Sequence, residues 1–230
     1  MRKVFFHLGS RVPDYRSLMR DQKDFVLGGR LIPIESLVIA EQTHSALVHK
    51  CQQDDSGAGI GSHPQIPIAD GLVTNLTGQF LLVRTADCTP VILFDNEVRA
   101  VCAVHSGREG TRKNIVGQAV RTMVREYGCI PQAINAYIGA GICEDHYQVS
   151  EEIYHHFNES LIGMKLSPCK NNFRHLNIRT TIFQQLILAG IPFLNIENVF
   201  ECTYENEDFF SYRRDQTNNR QINVIGIIDE

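Results

Sequence analysis

The sequence predicts an α+β protein, a mixed layered α/β sandwich. Three observations carry that expectation. Short strand-like runs dominate the first half of the chain, helical spacing is concentrated in the second, and strand signals return near the C-terminal end. A chain of 230 residues with 43% apolar and 21% charged side chains can bury a sizeable core, and is expected to form one domain over 1–230.

The elements follow in order. Apolar alternation predicts strands near 3–8 and 37–43, then at 71–75, 80–86, 90–95 and 98–104. The stretch QQDDSGAGIGSHPQIPIAD, 52–70, is polar and rich in glycine and proline, and is read as one long loop. In TRKNIVGQAVRTMVREYG, residues Ile115, Val116, Ala119, Val120 and Met123 recur at helical spacing and Gly128 closes the helix. A strand is expected at 134–139. Ser150 followed by Glu151 and Glu152 opens a helix through 158, and NIRTTIFQQLILAG forms another that ends at Gly190. Strands at 197–202 and 222–228 complete the set.

Composition narrows the function classes. A formal charge of −4 leaves no broad basic footprint, so nucleic acid is not the expected partner. No stretch is apolar enough to span a bilayer, and the first residues lack the apolar run of a signal peptide. Seven cysteines without a CxxC pair argue for reduced thiols and a cytoplasmic location rather than a disulfide framework. The basic cluster near 108–113 and the Arg213–Arg214 pair could hold a small anion.

Chemistry is suggested where expected strands end. His44 in EQTHSALV, Cys88 in TADC and His105 in AVHSG each fall at such an end. Neutral imidazole and thiolate are good zinc ligands, and three protein ligands leave a fourth position open. The bland alternative is a buried packing cysteine and two hydrogen-bonded histidines. Arg84 could grip a phosphate bidentately or form an edge-strand salt bridge. Asp87 could orient a ligand histidine or simply form a turn. Cys102, Cys129, Cys143, Cys169 and Cys202 read as packing residues and His146 as structural. His155 and His156 are adjacent on a helix, point apart and cannot form a ligand pair.

Six ordered blocks, QTHS, ADGLVTN, VRTADCTPVILFD, AVHSGREGT, IGAGICEDHYQV and FFSYRRDQTNNRQ, resemble the YfiH/laccase-domain family of purine nucleoside phosphorylases. The resemblance runs from about residue 41 onward and is poor over the first forty. It implies a YfiH-like layered fold and a zinc held by His44, Cys88 and His105, with copper the less favoured metal. It also implies zinc-dependent phosphorolysis of purine nucleosides such as adenosine, inosine, guanosine and methylthioadenosine, with adenosine deamination at the same site. Phosphate and nucleoside are then the partners, Arg84, Arg108, Arg213 and Arg214 the candidate contacts, and a homodimer is compatible. One departure stands out. Where the family commonly reads HSGWRG this chain reads HSGREG, so Arg108 replaces an aromatic residue and Glu109 an arginine.

Rival chemistries leave their own signatures. A multicopper site needs HxH pairs, and none occurs among the nine histidines. A blue-copper site could use the same three residues but lacks a methionine near the thiolate. The HxE and PCxxC signature of zinc deaminases is absent. A Cys–His hydrolase with Cys88 as nucleophile and His105 as base stays open, including one editing a UDP-muramoyl peptidoglycan precursor. So does a zinc-clipped binding protein without catalysis, which would unfold on losing its metal.

Overall fold

The computed structural model describes residues 1–229. Its first third contains β1 (Arg2–Leu8), α1 (Tyr15–Asp21), β2 (Phe25–Leu27), β3 (Arg30–Ile32), β4 (Leu37–Ile39), β5 (Val48–Lys50) and β6 (Gly71–Thr74). The centre contains β7 (Phe80–Thr85), β8 (Thr89–Asp95), β9 (Val101–Ser106), α2 (Arg108–Arg112), α3 (Ile115–Tyr127) and β10 (Ile134–Ile138). The remainder supplies α4 (Glu151–Gly163), α5 (Ile178–Leu188), β11 (Ile196–Asn198), α6 (Tyr212–Asp215) and β12 (Gln221–Asp229).

Two mixed sheets form the frame. One has strand order β1-β12-β7-β4 and the other β11-β10-β8-β9-β6-β5, while β2 and β3 form a separate hairpin. Strand β12 is antiparallel to both β1 and β7, and all its described residues except Asp229 are buried. A strand covered on both faces needs apolar residues at successive positions, which explains why VIGII, 224–228, runs without alternation. Leu81, Val83, Ile225 and Ile227 of the four-stranded sheet pack on Leu72, Ile92, Val101 and Ala103 of the six-stranded sheet. The outer face of the larger sheet packs on helices α3, α4 and α5, with Val91, Leu93 and Val104 against Ile115, Val116, Ala119 and Met123. Helix α1 and the β2–β3 hairpin cover the outer face of the smaller sheet through Leu18, Leu27 and Ile32. Each such large apolar side chain contributes about 1.5–3 kcal/mol on burial.

The mixed α/β architecture matches the sequence expectation, with local shifts. Strand β4 stops at Ile39 rather than continuing to 43, because Ala40 and Glu41 turn to pair with Ile66 and residues 43–45 bend onto the buried Asp70 carboxylate. Strand β9 begins at Val101, since Val98 has φ +55 and lies in the β8–β9 turn that Asp95 organises. Helix α4 runs to Gly163, five residues beyond the expected end, and β11 spans only three residues. None of the helices in the described residues is long and apolar enough to cross a membrane.

Candidate active site

The site forms where the chain crosses between sheets. Strand β7 belongs to the smaller sheet and β8 to the larger, and only 86–88 connect them. Asp87 turns this connection with φ +84, a backbone conformation that disfavours most side chains. Its carboxylate does not orient a histidine. It accepts hydrogen bonds from Thr203 Oγ1 at 2.8 Å and from the Arg213 backbone N–H at 2.7 Å, which tie a distant loop and α6 to the turn. The turn delivers Cys88, partly exposed, beside His105 at the end of β9.

Asp70, just before β6, is the residue that orients the donors. Buried at 1% exposure, it accepts from the backbone N–H groups of Thr43, His44 and Ser45 and from the Ser45 hydroxyl. This holds His44 in its left-handed conformation, φ +59. The same carboxylate lies 2.7 Å from His105 Nδ1. In the neutral imidazole that a metal would bind, Nδ1–H donates to Asp70 and Nε2 of His105 carries the lone pair. Burial alone would raise the Asp70 pKa, but hydrogen bonds from His105 and Ser45 outweigh it and hold it at about 2.

His44, Cys88 and His105 therefore converge. Their donor atoms lie within 4.8 Å of one another, with His44 Nε2 3.8 Å from Cys88 Sγ and the two imidazole centroids 5.1 Å apart. Tetrahedral coordination with ordinary zinc–sulfur and zinc–nitrogen bond lengths separates ligand atoms by roughly 3.3–3.8 Å. The donor types and spacing fit a metal ion. Burial would push the Cys88 thiol up, but the neighbouring His105 charge and hydrogen bonds from both histidines bring it down to about 6. Burial would likewise lower His105, yet Cys88 and Asp70 hold it at about 9. The metal-free pair thus favours thiolate beside imidazolium. Gly107 packs directly on the donors: a Cβ there would lie 2.7 Å from His44 Cδ2 and 2.9 Å from Cys88 Sγ.

The donors open into a cavity of about 710 Å³. Arg84, Arg108 and Arg213 line it, and so does Arg220, which sequence reasoning missed. Arg84 stacks on Tyr15 at 4.7 Å and donates to Tyr15 Oη, Gln42 Oε1 and the Ala40 carbonyl. It forms hydrogen bonds to neutral groups rather than an edge-strand salt bridge. Arg213 lies 5.3 Å from the Tyr147 ring centroid and donates to the His146 and Gln148 carbonyls. Arg214 is outside the cavity lining. Its guanidinium clamps the carbonyls of Thr203, Tyr204 and Phe209 and pairs with Asp215. Glu109 sits between Arg108 and Arg112, at 3.3 and 3.0 Å, so the charge reversal at this position is compensated within α2.

Cys102, Cys129 and Cys169 are buried packing residues. Cys143 and Cys202 differ, because they adjoin His146 and Glu205 in a second cluster. Asp70 carried little sequence signal, since Asp before Gly at a strand start resembles an ordinary turn former.

Comparison with known proteins places the chain in a family. A purine nucleoside phosphorylase of Corynebacterium glutamicum is 30% identical over 225 residues, covering 98% of this chain and 88% of the relative. A purine nucleoside phosphorylase of Bacteroides thetaiotaomicron is 31% identical, covering 85% and 74%, and an adenosine deaminase RL5 from an unknown prokaryotic organism is 30% identical, covering 80% and 71%. Among solved structures, YlmD of Geobacillus stearothermophilus superimposes with a TM-score of 0.78 at 29% identity, covering 86% of this chain and 76% of that one. The hypothetical protein YfiH of Bacillus licheniformis gives 0.76 at 30% identity, covering 85% and 75%. The model of the multi-copper polyphenol oxidoreductase laccase family matches residues 5–228, and the chain belongs to that family.

Proposed function

We propose that the protein is a zinc-dependent purine nucleoside phosphorylase of the cytoplasm. One observation carries this reading: a His–Cys–His donor set and the arginines Arg84, Arg108 and Arg213 share one cavity. Relatives named purine nucleoside phosphorylase support it. Zinc held by His44, Cys88 and His105 would supply a Lewis-acidic positive charge and an open coordination position.

The protein's own groups account for binding and orientation. Guanidinium groups bind phosphate through paired N–H donors, and Arg108 and Arg213 present theirs from α2 and α6 at the cavity wall. Fixing phosphate and nucleoside together removes much of the entropic barrier to attack. A phosphate oxygen forms a bond to the ribose anomeric carbon as the bond to the purine nitrogen breaks, and the purine leaves with that electron pair and takes up a proton. Tyr147 remains a neutral hydrogen-bond donor, because burial and the nearby Cys88 push its phenol up to about 12. Asp70 orients His105 and the loop carrying His44.

Metal content measured alongside inosine and adenosine turnover, with and without phosphate, tests the reading. One metal at this site and free purine release that requires phosphate are expected. Metal at the site without phosphate-dependent purine release would overturn phosphorolysis. Adenosine deamination is the second reading, favoured by the relative named adenosine deaminase. Its readout is ammonia release from adenosine without phosphate. Turnover that survives chelation and stops on thiol alkylation would instead identify a Cys88 hydrolase.

A further inference from the structure

A second group of metal-ligating side chains lies behind the cavity wall. Cys143 and His146 flank a tight turn in a C-x-x-H spacing, and Cys202 and Glu205 occupy a facing C-x-x-E turn. The two turns are joined by a bridge between Gly141 and Cys202, where the Thr203 N–H donates to the Gly141 carbonyl at 3.3 Å. The Cys143 N–H in turn donates to Cys202 Sγ at 3.3 Å. All four ligand atoms lie within 4.8 Å of one another.

Their spacing has the scale of a coordination sphere. Cys143 Sγ is 3.1 Å from His146 Nδ1 and 3.6 Å from Glu205 Oε1, and Nδ1 is 3.3 Å from the same carboxylate oxygen. Tetrahedral zinc with sulfur, nitrogen and oxygen ligands has edges of roughly 3.3–3.8 Å. The His146 ring stacks on Tyr204 with centroids 4.3 Å apart and planes at 17°, fixing its orientation. By contrast, the grouping of His49, Cys51 and Asp55 closes on itself. Asp55 Oδ2 accepts from His49 Nε2 at 2.8 Å and from the Gln52 N–H at 2.7 Å as part of a local cap.

We propose that Cys143, His146, Cys202 and Glu205 form a second, structural metal site for a thiolate-preferring divalent cation of the zinc type. Four protein donors leave no position open, as in structural rather than catalytic sites. Binding displaces the two thiol protons to solvent. The site fastens the turn leading to Tyr147 against the turn carrying Thr203, whose hydroxyl holds Asp87 beside Cys88. Its ion thus braces the wall of the first site without entering the cavity.

The test loads the reduced, full-length protein with cobalt(II), removes excess ion and measures bound metal and thiolate-to-cobalt absorption. Cys88→Ala is expected to retain one strongly bound cobalt with a thiolate absorption band, since its remaining first-site donors are histidines. Adding Cys143→Ser and Cys202→Ser should abolish both. Loss of all tightly bound cobalt in reduced Cys88→Ala, or retention without a thiolate band, would overturn the second site. Persistence of the band in the triple variant would also overturn it. If the triple variant fails to fold, the single variant still decides by metal count and spectrum. A first-site failure is separately visible, because the Cys143→Ser/Cys202→Ser double variant would then carry no metal while Cys88→Ala still carries one.

Discussion

At the scale of single residues, Asp70 collects five donors on one buried carboxylate and couples His105 to the loop carrying His44. Asp70→Asn preserves the shape but turns one oxygen into an N–H donor facing other donors. Metal affinity should fall about 10–100-fold, read by competition with a calibrated chelator; unchanged affinity would remove Asp70 from this role. Gly107→Ala probes a steric requirement instead. Gly107 has φ −82, accessible to any residue, so the penalty comes from the added methyl group against His44 and Cys88. Metal binding should weaken more than the melting temperature falls. The three donors were legible in the sequence because a thiol and two imidazoles at expected strand ends are unusual together. Asp70 was not, because its partners come from segments 25 to 35 positions away in the chain.

At the scale of elements, α3 illustrates what local pattern conveys. Its apolar residues recur on one face, Asn114 accepts from the Gly117 N–H, and Gly128 ends it with φ +65. Met123→Ala, on the buried face, should cost about 2–5 kcal/mol. Val124→Ala, at a position 38% exposed, should stay within about 0.5 kcal/mol. Denaturant unfolding of the pair measures the difference, and equal losses would contradict the assigned face. Helix α1 offers a pH-dependent case. Asp14 caps it through the Arg16 and Ser17 N–H groups; burial alone would raise its pKa, but those bonds and the Ser17 hydroxyl lower it overall. A depressed folded-state pKa stabilises above the unfolded carboxylate range and loses that contribution as pH falls through the folded value. The stability gap between wild type and Asp14→Ala, about 1 kcal/mol near neutrality, should therefore close in acid. Helix α1 escaped sequence reading because only Leu18 is buried, leaving no apolar stripe. Strands β2, β3 and β5, at three residues each, are too short for alternation to register.

At the scale of the molecule, the first donor set joins both sheets. His44 follows β4 of the smaller sheet, His105 ends β9 of the larger, and Cys88 sits on the crossing between them. An ion held by all three should stabilise the packed sheets by mass action, by about 2.7 kcal/mol at a free concentration one hundred times its dissociation constant. Melting temperature should rise with added zinc in wild type, with a smaller rise in Cys88→Ala. The layered architecture was legible because strand-like and helical patterns segregate along the chain. The pairing order was not. That β12 inserts between β1 and β7 depends on contacts across most of the sequence.

That insertion has a consequence for biosynthesis. Before residue 221 leaves the ribosome, β1 and β7 lack the strand that joins them, although His44, Cys88 and His105 have already emerged. Once β7 has been made, the nascent chain therefore exposes two unpaired apolar edges until residues 221–229 emerge, a state prone to aggregation. Assembly of the smaller sheet waits for residues 221–229, and a chaperone that shields these edges would act before the cavity, whose lining includes Arg213 and Arg220, is complete.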